Sequence, residues 1–346
     1  MSLQSLLGIE LPIVQAPMAG SQGHALAAAV SNAGALGSLP CAMLGLPALR
    51  DELTALSAAT QRPINVNFFC HSPPLPDAQR EAAWREALAP YYHAFGLDPL
   101  AGANAPSRTP FGAEAAQLLA HFRPAIVSFH FGLPAPELLA HVRGWGAKVL
   151  ASATTLDEAR WLDAHGVDAI VAQGVEAGGH RGMFLSDDVT TQVGTFALLP
   201  QVVRAVTRPV IAAGGIADAS GVAAALALGA AGVQIGTAYL LCPEATTSAV
   251  HRAALQSDAA QYTALTNLFS GRPARGIVNR LMRELGPMSN LAPVFPLASA
   301  AIALLRAHAE RIGSGDFSPL WSGQNSSGCR AVSASQLTLE LAYGLR

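Results

Sequence analysis

Val210-Ile211-Ala212-Ala213-Gly214-Gly215-Ile216-Ala217-Asp218 is the stretch on which the fold turns. Its four leading apolar residues read as a buried strand, and the glycine pair after them as a tight turn. Asp218 stands at a helix start ahead of the Ala-rich run Ala219–Leu228, and a second short apolar run, Gly232–Ile235, follows. Strand, helix and strand in so short a span form a βαβ unit, which requires a parallel sheet.

The same rhythm recurs outward from this unit. Ile13–Ala16, Ala35–Leu39, Ile64–Phe68, Ala125–Phe129, Lys148–Ser152 and Ala169–Ala172 complete a set of eight predicted strands. Helices are expected between them, for example over Gly23–Asn32 and Thr155–His165, with Thr155 as a start and His165-Gly166 as a stop. Eight such repeats over about 240 residues match an α/β (β/α)8 TIM barrel. An open doubly wound sheet, which fixes no strand count, is the alternative.

Two segments exceed the barrel plan. Residues 70–110, after the third strand, are rich in proline (Ser72-Pro73-Pro74-Leu75-Pro76) and read as an irregular insertion over the active site. With that insertion, residues 1–260 read as the barrel. Residues 261–346 read as a C-terminal helical extension that packs on the barrel and closes the site, with helix-like runs at Val278–Leu285 and Leu297–Ile312. A peripheral packing appendage is the blander alternative.

Composition narrows the function. Hydrophobic residues at 51% against 13% charged describe a folded, Ala/Gly-rich chain, and a formal charge of -2 with no basic cluster argues against nucleic acid. Lys148 is the only lysine, so Schiff-base chemistry is excluded everywhere else. Four scattered cysteines without a CxxC pair suggest free thiols in a reducing compartment, with no disulfide framework and no metal site. Residues 1–10 show no secretory leader. Ala219–Cys242 is uncharged and long enough to span a bilayer, but Gly229, Gly232, Gln234 and Gly236 interrupt it, so it reads as a helix plus a strand. A cytoplasmic protein without membrane association, monomeric or a small homo-oligomer, is expected.

The candidate site gathers at the strand ends. Gln173-Gly174-Val175-Glu176-Ala177-Gly178-Gly179-His180-Arg181-Gly182 follows the sixth strand: glycines bring backbone amides close to a flat or anionic ligand, and His180 places one imidazole there. The seventh and eighth strands run into Gly214-Gly215 and Gln234-Ile235-Gly236-Thr237, loops suited to a ligand phosphate. Gln15-Ala16-Pro17-Met18 ends the first strand, and Asn67 and Gln173 offer amides to a heteroaromatic ring. A polar ring plus a phosphate implies a nucleotide-like cofactor; FMN fits best, since no GxGxxG with a downstream acid is present for NAD. His71 and His130, just past the third and fourth strands, are candidates for the cavity wall. His24, His93, His121 and His141 read as surface or helix-face residues, the cysteines as buried hydrophobes, Glu176 as a structural acceptor for loop amides and Arg181 as solvated.

On these residues, together with Ala212-Ala213-Gly214-Gly215-Ile216 and the late Leu320-Trp321-Ser322-Gly323-Gln324, nearly the whole chain resembles the nitronate monooxygenases, once called 2-nitropropane dioxygenases. The Glu-Ala-Gly-Gly-His form resembles their class I branch. The resemblance implies an FMN-containing barrel that oxidises alkyl nitronates with molecular oxygen to a carbonyl compound and nitrite, through one-electron transfer to the flavin. It further implies that Pro17, Met18, Asn67, Gln173, Gly178, Gly179, Gly214, Gly215, Gln234, Ile235, Gly236 and Thr237 contact FMN, that Gln324 closes over it, and that His180 is catalytic.

One departure bears on substrate. Leu291–Ile312, where class I members often carry tyrosines and a lysine, has neither; Phe295 stands there beside Pro296. Arg272, Arg275 and Arg283 are the candidates for a compensating positive charge. The rival readings are a flavin-dependent enoyl-acyl-carrier-protein reductase, an NAD(P)H:quinone reductase, and a flavin-free barrel lyase or isomerase acting on a phosphorylated substrate.

Overall fold

Short apolar runs separated by helices have one way to bury both faces of a parallel sheet without leaving an edge, which is to close it. The computed structural model describes residues 2–99 and 108–345; residues 100–107 of the expected insertion lie outside them. The strands are β1 Ile13–Gln15, β2 Gly37–Pro40, β3 Ile64–Phe69, β4 Ile126–His130, β5 Lys148–Ala153, β6 Ala169–Gln173, the short β7 Gly179–His180, β8 Val210–Ala213 and β9 Gly232–Ile235. All but β7 pair in parallel in the order β1-β9-β8-β6-β5-β4-β3-β2. Closure comes from Leu36, whose N–H donates to the Ile13 carbonyl and whose own carbonyl accepts from Gln15 N–H, both at 2.9 Å. The eight predicted strands are present, most of them within a residue of their expected ends.

The period-2 alternation of each strand sorts the barrel interior into layers. On β4, Val127 and Phe129 pack outward with the helices, Ile126 belongs to the inner apolar layer, and Ser128 and His130 face the top. β5 repeats this with Leu150 below and Ser152 above, and β6 with Val171 below and Gln173 above. The short helix Leu3–Leu7 plugs the bottom, where Leu3 and Leu7 are buried against Val14, Leu36, Ile126 and Ile211. Each such leucine contributes about 2 kcal/mol of hydrophobic burial. The barrel is therefore sealed below and polar above, which confines chemistry to the carboxyl ends of the strands.

The loop after β3 departs from expectation. Its proline cluster is irregular, but Asp77 then caps a 17-residue helix, Ala78–Ala94, by accepting from Arg80 N–H at 3.0 Å. Trp84, Leu88, Tyr91 and Tyr92 recur at helical spacing and form a second core with the helix Ala298–Arg311 and with Leu281, Met282 and Phe317. Trp84 Nε1 donates to the Ala298 carbonyl (3.3 Å) and Tyr92 Oη to that of Ala301 (2.6 Å).

After β9 the chain leaves the barrel and adds two strands, β10 Thr263–Thr266 and β11 Ala274–Ile277, which join β7 in an antiparallel sheet with Ala274 opposite His180. It then returns. The last helix, Ala334–Leu341, packs between His24–Asn32 and Ala219–Ala227 in the place of the barrel's eighth helix. Ser335 Oγ donates to the Ala29 carbonyl (3.0 Å), and Thr338 Oγ1 meets Tyr239 Oη at 2.9 Å. Residues 261–346 are thus not wholly appended to the barrel; their final part belongs to its helical ring. The uncharged stretch at 219–242 is a nine-residue helix plus β9, and no helix among the described residues is long and apolar enough to cross a membrane.

Candidate active site

The strand tops line a cleft that opens to solvent at its mouth. Pro17, Met18, Asn67, Gln173, Gly178, Gly179, His180, Gly214, Gly215, Gln234, Ile235, Gly236 and Thr237 all line it. Gln324 does not: its side chain is exposed, while Gly323 and Asn325 on either side are in the wall. Gln324 contributes its backbone, donating N–H to the Glu176 carbonyl at 2.9 Å.

At one end the β8 and β9 loops form a cradle of backbone. Gly214 and Gly215 have φ of 113° and 75°, a left-handed conformation that a side chain would strain. The N–H groups of Gly215, Gly236 and Thr237 make no hydrogen bond with any described residue, so a ligand's anionic oxygens meet open donors there. The late Trp321–Gly323 segment is pressed onto this end. Gly323 N–H donates to Thr237 Oγ1 (2.9 Å), and a Cβ on Gly178 would stand 2.5 Å from Gly323 N. Glu176 directs its carboxylate away from the cleft onto Thr195, accepting from its N–H (2.8 and 2.9 Å) and its hydroxyl (2.9 Å).

His180 sits at the other end, held from four directions. β7 pairs it with β11, and its carbonyl accepts from Gln173 Nε2 (3.0 Å) and His130 Nε2 (3.2 Å). Its own Nε2 lies 2.8 Å from Ser270 Oγ, and its Nδ1 has no partner among the described residues. Ser270 Oγ donates to the Arg272 carbonyl at 3.3 Å; with its proton there, it accepts from His180 Nε2–H and leaves Nδ1 as a bare acceptor. Burial, reinforced by Arg108, His130, Arg272 and His71, holds the His180 pKa well below its ordinary value. The imidazole is neutral at physiological pH. His130 is likewise held down to about 4, chiefly by burial, and Ser152 Oγ lies 3.1 Å from its Nδ1.

Around His180 the packing is aromatic, with Phe69 and Trp321 also lining the cleft. Phe295, Trp321, Phe69 and Phe131 have ring centroids 5.3, 5.4, 6.0 and 6.1 Å from the imidazole. The cation in the lining is Arg108, at the end of the insertion, and not one of the three arginines expected. Arg272 stacks on Phe131 (4.1 Å) and donates to the Met183 carbonyl; Arg275 donates to Val175 O (2.8 Å); Arg283 is exposed on Val278 O (3.3 Å).

Two further expectations are corrected. Arg181 is not solvated but fully buried: its guanidinium donates to the carbonyls of Gln173 and Gly174 (2.6 Å each) and to Gln192 Oε1 (2.9 Å). Burial brings its pKa down to about 10. Gln173 does not present a free amide to a ring, because Nε2 is given to His180 and Oε1 accepts from Gly182 N–H at 2.8 Å. Sequence reading missed Ser270, Arg108 and the serines Ser128 and Ser152, which meet Asn67 (2.8 Å) and His130 (3.1 Å). The serines carried a signal, since each stands at an inward position of a strand already drawn; Ser270 and Arg108 lie in loops and carried none.

Residues 1–344 match the family model described as nitronate monooxygenase. A nitronate monooxygenase of Paraburkholderia phytofirmans is 44% identical over 349 residues, covering 100% of this chain and 95% of that protein. One from Pseudomonas aeruginosa is 41% identical over 350 residues, covering 99% and 98%. Among solved structures, nitroalkane oxidase from Streptomyces ansochromogenes superposes with a TM-score of 0.90 at 38% identity, covering 100% of this chain and 98% of that one. A barrel with a histidine loop at its carboxyl end, matched end to end by these relatives, leaves one assignment: the chain belongs to the nitronate monooxygenase family, an oxidoreductase family.

Proposed function

We propose that the cleft binds FMN and oxidises alkyl nitronates with molecular oxygen, giving a carbonyl compound and nitrite. The observation that carries this reading is the pairing, in one cleft, of an open backbone cradle at Gly215, Gly236 and Thr237 with a buried neutral His180 at the opposite end. The residues fit the cofactor. A Cβ on Gly179 would meet nothing within 4 Å, so the loop presents bare backbone to a flat ring, while Gln234 and Asn67, the latter with its Nδ2 on Ser128 Oγ (2.8 Å), stand in the wall. Gly215, Gly236 and Thr237 would take the phosphate, and Gly178, Gly179, Met18 and Asn67 the ring. Bound there, the flavin supplies the one-electron oxidation of the nitronate.

The chain's own residues supply the rest. His180 Nδ1 accepts a proton, which suits abstraction of the acidic α-proton if a neutral nitroalkane enters. Ser270 fixes the ring, and Gln173 and His130 fix the backbone that carries it. Phe69, Phe131, Phe295 and Trp321 exclude water from the alkyl side. Four free cysteines suit a cytoplasmic setting.

Heating the purified protein and weighing the released chromophore tests the cofactor: the mass of FMN is expected. Ethyl nitronate added to the intact protein in air should release nitrite. A colourless protein, or a yellow one that releases none, contradicts the reading.

A further inference from the structure

We propose that Arg108 is the specificity-determining cation of the cleft, holding an oxyanion of the substrate opposite the phosphate cradle; this rests on the nitronate reading above. Among the described residues that line the cleft, Arg108 is the one lysine or arginine. The other charged side chain there, Glu176, is committed to Thr195. Nitronates are anions, and the neutral His180 gives no charge to balance them.

Arg108 is built to do so. Its Nη1 donates to Ser299 Oγ at 2.7 Å, and Ser299 Oγ donates in turn to the Phe269 carbonyl at 3.1 Å, which fixes the direction of the first bond. The guanidinium lies 5.7 Å from the Phe295 ring centroid, the same ring that packs 5.3 Å from His180. Phe295 thus neighbours both the cation and the imidazole. Of the five N–H donors of a guanidinium, one is engaged within the described residues. The charged neighbour that acts on Arg108 is Arg306, a like charge, and no described carboxylate pairs with it. A half-buried fork with four N–H donors and no counter-ion engaged among the described residues favours a bidentate oxyanion.

The site is distinct from the phosphate cradle. Arg108 follows β3, whereas the cradle follows β8 and β9, and β3 is separated from β8 in the sheet by β6, β5 and β4. The oxyanion has two possible sources, the nitronate group itself or a carboxylate elsewhere on the same molecule.

The test compares wild type with Arg108→Gln and Arg108→Lys, using ethyl nitronate and propionate 3-nitronate. Arg108→Gln should raise KM roughly 10- to 100-fold with a smaller change in kcat, and Arg108→Lys should recover part of the loss. A rise with both substrates assigns the nitronate oxygens, and a rise confined to propionate 3-nitronate assigns the carboxylate. Independently of turnover, nitrate titrated against the flavin absorbance should bind at least about tenfold more weakly to Arg108→Gln. Arg108→Lys, which keeps the charge, serves if Arg108→Gln fails to fold. Unchanged KM values for both nitronates and an unchanged nitrate Kd in a well-folded variant overturn the proposal. A wild type that binds nitrate through Arg108 yet oxidises neither nitronate would instead defeat the functional reading alone.

Discussion

Gln173 and His180 form a single hydrogen-bonded unit: Gln173 Nε2 donates to the His180 carbonyl at 3.0 Å while its Oε1 accepts from Gly182 N–H at 2.8 Å. A barrel strand end therefore grips the histidine loop immediately after the residue that carries the imidazole. Gln173→Met keeps the bulk but removes both bonds and leaves a buried N–H unpaired, a cost of about 1–3 kcal/mol. Oxygen-uptake kinetics should show kcat falling on the order of 10-fold or more, with flavin content retained.

His180→Asn replaces the basic ring nitrogen with a non-basic amide and should lower turnover of a neutral nitroalkane by about 100-fold or more. Because the folded pKa of His180 is lowered, the neutral form persists as pH falls through 6.5. The acid limb of kcat/KM in wild type should accordingly lie well below pH 6.5, as a pH–rate profile would show. A limb at pH 6.5 or above contradicts the assignment of a neutral buried base.

Gly178 approaches the Ser322–Gly323 backbone too closely for any side chain, with 2.5 Å left to Gly323 N. Gly178→Ala should push the late segment off the cleft and cost on the order of 1–3 kcal/mol. Flavin retention through gel filtration should drop, together with Tm. Gly96→Ala, at a position whose Cβ would meet nothing, is exposed to backbone strain alone and should leave flavin binding intact.

Acid should destabilise the fold through its buried histidines. His71, His130 and His251 are each held down to about 4, chiefly by burial, against 6.5 when unfolded. Between those values the unfolded chain binds more protons than the folded one, so stability is lost as pH falls from about 6.5 toward 4. Differential scanning should show Tm lower by roughly 5 °C or more at pH 5 than at pH 7.5.

Much of the barrel was legible because each strand is a short apolar run bounded by a cap or a glycine. Asp218 does what its position suggested, accepting from Gly221 N–H at 2.8 Å, and Thr155 caps its helix in the same way. That Gly214, Gly215, Gly236 and His180 stand at the carboxyl end of the barrel was legible too, since loops that follow parallel strands gather there. Harder to see was the helix Ala78–Ala94, whose Trp84–Leu88–Tyr91 spacing is masked by the proline cluster before it. Ser270 lies 90 residues from His180 and meets it only because β11 pairs with β7. Arg181 looks like a surface charge in sequence; only the fold brings the Gln173 and Gly174 carbonyls and Gln192 to its guanidinium. Arg108 escaped for the reverse reason, since no local pattern in the insertion marks its position.

Oxygen uptake by the yellow protein on adding a nitronate, with nitrite followed in the same vessel and no NAD(P)H present, tests the central claim most directly. Rapid uptake accompanied by nitrite is the expected result, lost in His180→Asn when the substrate is supplied as the neutral nitroalkane. A flavin-loaded protein that ignores nitronates and consumes oxygen or a quinone only when NAD(P)H is supplied would contradict it.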